Sequence, residues 1–252
     1  MRGSRIAGMG HYVPERVVTN HDLAKFIGTS DEWIVQRTGI EERRWVEGNV
    51  GSSDLAFEAA KDALEDAGIA ATDLDMIIFA TLSPDVNFPG SSCILQKKLN
   101  LPGVATLDIR NQCTGFVYGL PIADQFIKTG MMDNILVVGA EVHSSGLDMT
   151  TRGRDVTVLF GDGAGVAVVS ATEGENRILG SKLHADGTQY DILMVEAPSS
   201  RLNPRFTPEM FEEGRHYPKM DGKKVFKNAV TEMPAVAMEV LTPHGYTPAD
   251  ID

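Results

Sequence analysis

Short continuous apolar runs alternate with stretches of helical spacing through the first two thirds of this 252-residue chain, and that alternation limits the fold more than any other feature. Helical spacing over residues 55–66 gives way to an apolar run at 76–82, a helical stretch at 91–99, a run at 104–109, a helical stretch at 114–128 and a run at 134–139. Residues 166–170 form one more strand-like run. Strands that are apolar on both sides and exchange with helices at this spacing predict an α/β fold with a largely parallel sheet covered on both faces.

The polar turn Glu173-Gly-Glu-Asn176 is the clearest boundary, dividing the chain into residues 1–172 and 173–252. Beyond it, residues 177–184 predict a strand. Residues 194–219, rich in Pro, Arg and Glu and without periodicity, predict a pocket-lining loop. Residues 225–241 recover helical spacing, with a kink or a broken turn expected at Pro234.

A hydrophobic fraction of 42% with 23% charged residues is that of an ordinary globular protein. The formal charge of −12 argues against general nucleic-acid binding, which needs clustered Lys and Arg. No apolar run approaches the ~18 residues of a membrane span, and Met-Arg-Gly-Ser-Arg lacks a signal-peptide core, so no membrane association and a cytoplasmic address are expected. Two cysteines, Cys93 and Cys113, are too few for a disulfide framework and lack metal-ligand spacing, so no metal is assigned.

Cys113 stands between the run at 104–109 and the helical stretch at 114–128. A helix start offers unpaired N–H groups that stabilise a thiolate and can hydrogen-bond an oxyanion. A free cysteine is otherwise a small buried hydrophobe. Gly115 leaves the first helical turn open to approach, and Asp108 is expected to cap the end of the strand. The glycines at 161, 163 and 165 precede an apolar β-rich run rather than a helix, which speaks against a nucleotide loop and for tight packing behind the cysteine.

Asp108-x-x-Asn111-x-Cys113-x-Gly115-Phe116 occurs with four further motifs: Thr29-Ser-Asp-Glu-Trp-Ile34, Arg37-Thr-Gly-Ile-Glu-Glu-Arg43, Phe160-Gly-Asp-Gly-Ala-Gly165 and Leu183-His-Ala-Asp-Gly187. Together, in this order and over nearly the whole chain, they resemble β-ketoacyl-acyl carrier protein synthase III. The resemblance implies a thiolase-like fold, layered α-β-α-β-α, with the second half incomplete in these residues. It also implies an acyltransferase of fatty acid biosynthesis in which an acyl-CoA acylates Cys113 and the acyl-enzyme condenses with malonyl-acyl carrier protein, losing carbon dioxide. CoA enters as substrate and no cofactor is implied.

By the same resemblance Trp33 stacks the CoA adenine against an arginine, while Arg37 and Thr38 meet its phosphate and pantetheine portions. The planar fork of arginine suits phosphate. The Arg152-Gly153 pair matches the family, whereas counting back from Phe160 favours Arg154; Arg152 is taken as the adenine partner. Phe160 falls near the acyl pocket, Phe88 crosses a homodimer interface to close the partner's pocket, and Lys227 lies on a helix facing the carrier protein. The aromatic-bearing loop 194–219 is expected to border the acyl tunnel and admit primers longer than acetyl.

The chain departs from the family in its large polar Arg110, Asn111 and Gln112, where small residues are usual, and in Pro121 within the helix after Cys113. The family's catalytic histidine and asparagine belong to motifs that follow an Asp-Ile-Asp like Asp250-Ile-Asp252. His244 precedes that point and is not their counterpart. These residues alone are therefore expected to be poorly stable and inactive in condensation. A specialised relative using another extender, or a non-catalytic protein that binds CoA or the carrier, is the alternative.

Overall fold

The structure, a computed structural model, describes residues 2–252. Strand β1 (Gly3–Tyr12) is followed by β2 (Val17–Thr19), helix α1 (Asn20–Leu23), α2 (Asp31–Thr38) and β3 (Glu42–Arg44). Then come α3 (Ser52–Ala67), β4 (Met76–Ala80), α4 (Ser91–Lys98), β5 (Ala105–Ile109), α5 (Gly115–Lys128) and β6 (Asn134–Val142). The short helix α6 (Arg154–Thr157) leads to β7 (Asp162–Thr172), β8 (Leu193–Met194), α7 (Pro208–Glu212), β9 (Lys219–Met220) and α8 (Gly222–Leu241). The chain forms two compact units, each discontinuous in sequence. The first comprises the stretch up to Val17, Arg44–Val142 and Gly161–Gly180; the second comprises Val18–Arg43, His143–Phe160 and Ser181–Asp252.

The first unit is built on a five-stranded sheet of order β1-β7-β6-β4-β5. β4 runs parallel to β5 and β6, while β7 is antiparallel to both β6 and β1. The sheet is therefore mixed, correcting the largely parallel reading, because β6 and β7 pair antiparallel from Asn134↔Ser170 to Val142↔Asp162. Side chains alternate between faces as the pleat demands. Ile77, Phe79, Leu136 and Val138 pack into the core under α3 and α4; Met76, Ile78, Ile135 and Val137 pack with Ala123 and Ile127 of α5 on the other face.

Glycine permits the closest approaches. A Cβ at Gly8 would lie 2.3 Å from Ala67 N and one at Gly10 2.2 Å from Ala59 O, so α3 rests almost on the backbone of β1. Ala56, Ala59, Ala60 and Ala63 give α3 the small face this requires. Pro121 lies within continuous α5; the carbonyl it cannot serve belongs to Val117, which is exposed and can turn to water.

Residues 177–184, of which 177–180 belong to the first unit and 181–184 to the second, form no strand, contrary to expectation. A strand needs a ladder, and within residues 177–184 the bond that Ile178 N donates to Ser4 O at 2.8 Å, inside the first unit, is a single one. The 194–219 stretch is closed at its base by antiparallel β8 and β9. Its aromatic residues pack on one another, with Phe211 stacked on His216 at 4.6 Å and Tyr217 3.9 Å from His216. α8 runs unbroken past Pro234 and exposes Phe226, Val230 and Met233 along one face. Among the described residues no helix is long and apolar enough to cross a membrane.

Candidate functional site

In the first unit the chain leaves β5 at Ile109, whose carbonyl accepts from Thr81 N at 3.2 Å, and turns into α5 through a single 3-10 turn, Gln112–Thr114. Gln112 has φ +47°, in the left-handed region that residues with a Cβ rarely enter. Such a conformation costs on the order of 1 kcal/mol or more and persists where the surroundings enforce it. Here Asn111 Nδ2 donates to Thr114 Oγ1 at 3.0 Å and the Thr114 hydroxyl donates back to Asn111 O at 3.0 Å, closing the turn. The polar residues that depart from the family pattern thus build the reversal. Cys113, at its centre, is a free and exposed thiol.

Behind the turn, Gly115 has φ −55°, an ordinary helical value, so its conformation does not require glycine. Its lack of a side chain serves packing: a Cβ would lie 2.7 Å from Ala80 Cβ, and one at Gly119 would lie 2.8 Å from Val137 Cγ1. Gly115 therefore seats the helix on the sheet, where the sequence suggested an open approach to the thiol. The packing expected of Gly163 and Gly165 falls to these residues instead, since a Cβ at Gly165 would meet nothing within 4 Å.

Asp108 also has a different task from the one expected. Its carboxylate accepts from Ser92 N at 3.2 Å and from the Ser92 hydroxyl, so it caps α4 rather than its own strand. Two further carboxylates fix the segment between β4 and α4. Glu141 accepts from Leu82 N at 2.8 Å and Ser83 N at 3.1 Å, and Asp85 accepts from the Ser53 and Ser91 hydroxyls at 2.6 and 2.7 Å. Phe88 projects from this braced segment with 86% of its surface exposed. Only the Phe-Pro-Gly punctuation hinted at this; Glu141 lies nearly 60 residues away in the chain, beyond local pattern.

In the second unit Ser30 caps α2, its Oγ accepting from Trp33 N at 3.2 Å. The half-buried Trp33 indole carries two guanidinium groups, Arg37 Cζ and Arg154 Cζ, each 4.4 Å from the ring centroid. Cation–π attraction acts over such distances. Arg37 is further fixed by donating to Trp33 O at 3.3 Å, and Arg154 by donating to Gly28 O at 3.3 Å.

Arg152, the residue taken as the adenine partner, faces elsewhere. It donates to Asp148 Oδ2 at 2.6 Å and to Glu213 O at 3.1 Å, and its Cζ lies 5.8 Å from the Tyr217 ring centroid. Arg152 lies on the 3-10 turn Thr151–Gly153 and Arg154 opens α6, so the two side chains leave the backbone in different directions and meet different targets. Burial of Asp148 opposes its charge, but donation from Arg152 and Thr150 prevails and holds its carboxyl below the ordinary value. Arg152 thus ties residues 212–213 to a buried carboxylate.

Thr38 donates its one hydroxyl proton to Ile34 O at 2.8 Å and accepts from Ile40 N at 3.0 Å. While that bond stands it has no proton for a phosphate. Phe160 is half-buried with its ring centroid 4.9 Å from that of His143. Lys227 is exposed on α8. Among the described residues no cluster of three or more His, Cys, Asp and Glu is gathered as for a metal.

An exposed thiol at a strand-to-helix reversal can attack an activated carbonyl, and an indole flanked by guanidinium groups can hold a planar ring with phosphates attached. A family model described as 3-oxoacyl-[acyl-carrier-protein (ACP)] synthase III matches residues 107–187. A β-ketoacyl-[acyl-carrier-protein] synthase III of Caldanaerobacter subterraneus subsp. tengcongensis is 49% identical over 247 residues, covering 98% of this chain and 73% of the relative. The Rhodospirillum centenum protein of that name is 44% identical and 74% covered. A crystal structure of 3-oxoacyl-[acyl-carrier-protein] synthase III from Aquifex aeolicus superposes with TM-score 0.88 at 40% identity, over 99% of this chain and 74% of that one.

Proposed function

This chain belongs to the β-ketoacyl-acyl carrier protein synthase III family, a group of thiolase-fold condensing acyltransferases of fatty acid synthesis, and we infer that Cys113 is its acyl acceptor. The observation that carries the assignment is the exposed thiol at the reversal between β5 and α5, held by the left-handed Gln112 and the Asn111–Thr114 pair. Cys113 Sγ attacks the carbonyl of an acyl-CoA, the carbon–sulfur bond to CoA breaks, and CoA leaves as its thiol with the proton from Cys113. Malonyl-acyl carrier protein then loses carbon dioxide. The resulting enolate attacks the acyl-Cys113 carbonyl, giving β-ketoacyl-acyl carrier protein and freeing the thiol. No residue of this chain is assigned to the enolate step, and neither half-reaction as written transfers electrons to a cofactor.

The nucleotide of CoA is assigned to Trp33, with Arg154 replacing Arg152 as its partner and Arg37 directed at phosphate. A ring inserted between Trp33 and Arg154 needs two layers of about 3.5 Å each, roughly 7 Å in all. The present 4.4 Å is too small, so Arg154 withdraws from the indole as the adenine enters. Its bonds to Gly28 O at 3.3 Å and to Asp155 Oδ1 at 3.4 Å are both long and allow that movement.

We further propose a homodimer. β5 is an outer strand of the sheet with one side unpaired, and Phe88 is almost fully exposed in a segment braced by Glu141 and Asp85. Unpaired edges are places where another chain adds. The cytoplasm is the proposed location, supported by two cysteines that are both free. The test of the function is intact mass after incubation with acetyl-CoA: one acyl group is expected on Cys113, and a label elsewhere removes the assignment.

A further inference from the structure

Arg43 is a charged side chain with only 6% of its surface exposed, in a position that neither the acylation chemistry nor the nucleotide site uses directly. Burying a guanidinium is costly unless its donors are satisfied. Its Nη1 donates to Val18 O at 3.1 Å, and its Nη2 donates both to Asn20 Oδ1 at 2.8 Å and to Val158 O at 3.1 Å. Nε is buried without a partner, so the burial leaves one donor unsatisfied.

The two acceptors of Nη2 lead to the two sides of the Trp33 site. Asn20 is fully buried, and its Nδ2 donates to Asp31 Oδ1 at 2.8 Å and to Ile40 O at 2.7 Å. Asp31 is the first residue of α2, two positions before Trp33. Val158 caps the C-terminal end of α6, whose first residue is Arg154. One nitrogen therefore spans from the start of the helix that carries the indole to the end of the helix that carries the guanidinium above it. The planar fork of arginine suits this, since its donors point in fixed directions.

We propose that Arg43, through Asn20 and Val158, is a positioning residue that sets the separation of Trp33 and Arg154 and so tunes recognition of the CoA nucleotide. The inference rests on the assignment of Trp33 and Arg154 to that nucleotide. Arg43 touches no substrate; it acts through the two helices. Closing of Arg154 onto an adenine, after its withdrawal, requires α6 to stay in register with α2, and the Arg43 bridge supplies that register.

The test compares Cys113 acylation by acetyl-CoA and by acetyl-pantetheine, which lacks the nucleotide, followed by intact mass. Arg43→Met is expected to lower the preference for acetyl-CoA over acetyl-pantetheine about tenfold, and to change it less than about twofold when Trp33→Ala is already present, because both changes then act on one element. Equal loss with both thioesters, or the same loss with and without Trp33, assigns Arg43 to folding alone and overturns the proposal. If Trp33→Ala by itself leaves the preference unchanged, the nucleotide assignment falls and takes this proposal with it. If Trp33→Ala lowers the preference and Arg43→Met does not, only the positioning role falls. Should Arg43→Met not fold, Arg43→Lys serves the same comparison, since an ammonium keeps the charge but cannot address Asn20 and Val158 in the same plane, and Asn20→Ser removes the amide that joins Arg43 to Asp31 and Ile40 while leaving the bond to Val158 O.

Discussion

Arg154 holds its guanidinium carbon 4.4 Å from the centroid of the Trp33 indole, whereas Arg152, two residues earlier, is bound to Asp148 at 2.6 Å. The two arginines, nearly equivalent by sequence, are thus separated by their contacts. Arg154→Ala is expected to weaken CoA binding by about 1–2 kcal/mol through loss of the cation–π and stacking surface. Arg152→Ala strips a buried carboxylate of its strongest donor, so it is expected to cost about 1–3 kcal/mol of stability while leaving CoA affinity nearly unchanged. Calorimetry with CoA and thermal melts on both variants check this. A larger affinity loss at Arg152 than at Arg154 would restore the reading from the Arg-Gly pair.

Loss of the acyl adduct is the expected result for Cys113→Ser, while Cys93→Ser should acylate as the parent does. Cys93 lies on α4 with its sulfur 3.5 Å from Thr106 Oγ1 and is only partly exposed. Peptide mapping after acetyl-CoA treatment decides between them, and an adduct that survives in Cys113→Ser removes Cys113 from the mechanism.

Residues 76–80 and 135–138 could be read as strands because every side chain along them is buried, leaving an apolar run with no polar break. β1 could not, since Gly8 and Gly10 look like loop residues until α3 is seen lying against them. The thiol was readable because its signal is local, a cysteine between a strand and a helix. What positions it was not: φ at Gln112 carries no sequence mark, and Asp108, Asp85 and Glu141 act on partners 6 to 59 residues away. That Arg154 and not Arg152 faces Trp33 depends on how the 3-10 turn Thr151–Gly153 leads into α6, which residue spacing within a loop does not supply.

The contact of Gly115 with Ala80 gives a steric prediction. Gly115→Ala places a methyl group 2.7 Å from Ala80 Cβ, between a strand and a helix that cannot separate cheaply. Overpacking of this kind costs about 1–3 kcal/mol. It should also displace the turn that carries Cys113 and slow its acylation. Ala80→Gly in the same chain makes room and should recover both melting temperature and rate. Recovery of neither would mean that Gly115 matters for some property other than its contact with the strand.

Asp148 supplies a dependence on pH. Burial works to raise its carboxyl, yet hydrogen bonds from Arg152, the Thr150 hydroxyl and Thr150 N–H hold it below the ordinary 3.8. A carboxyl with a depressed folded-state value binds its proton more readily when unfolded. Its stabilisation is therefore complete above the unfolded value of about 3.9 and fades as pH falls through the lower folded value. Asp148→Asn should accordingly melt below the parent at pH 7, with the gap narrowing as both are acidified below about pH 5 and closing only once the pH has fallen through the lowered folded value. Thermal melts across that range measure the gap directly. A gap that stays constant would show that Asp148 contributes through shape and neutral hydrogen bonds rather than through the charge that Arg152 and Thr150 hold in place.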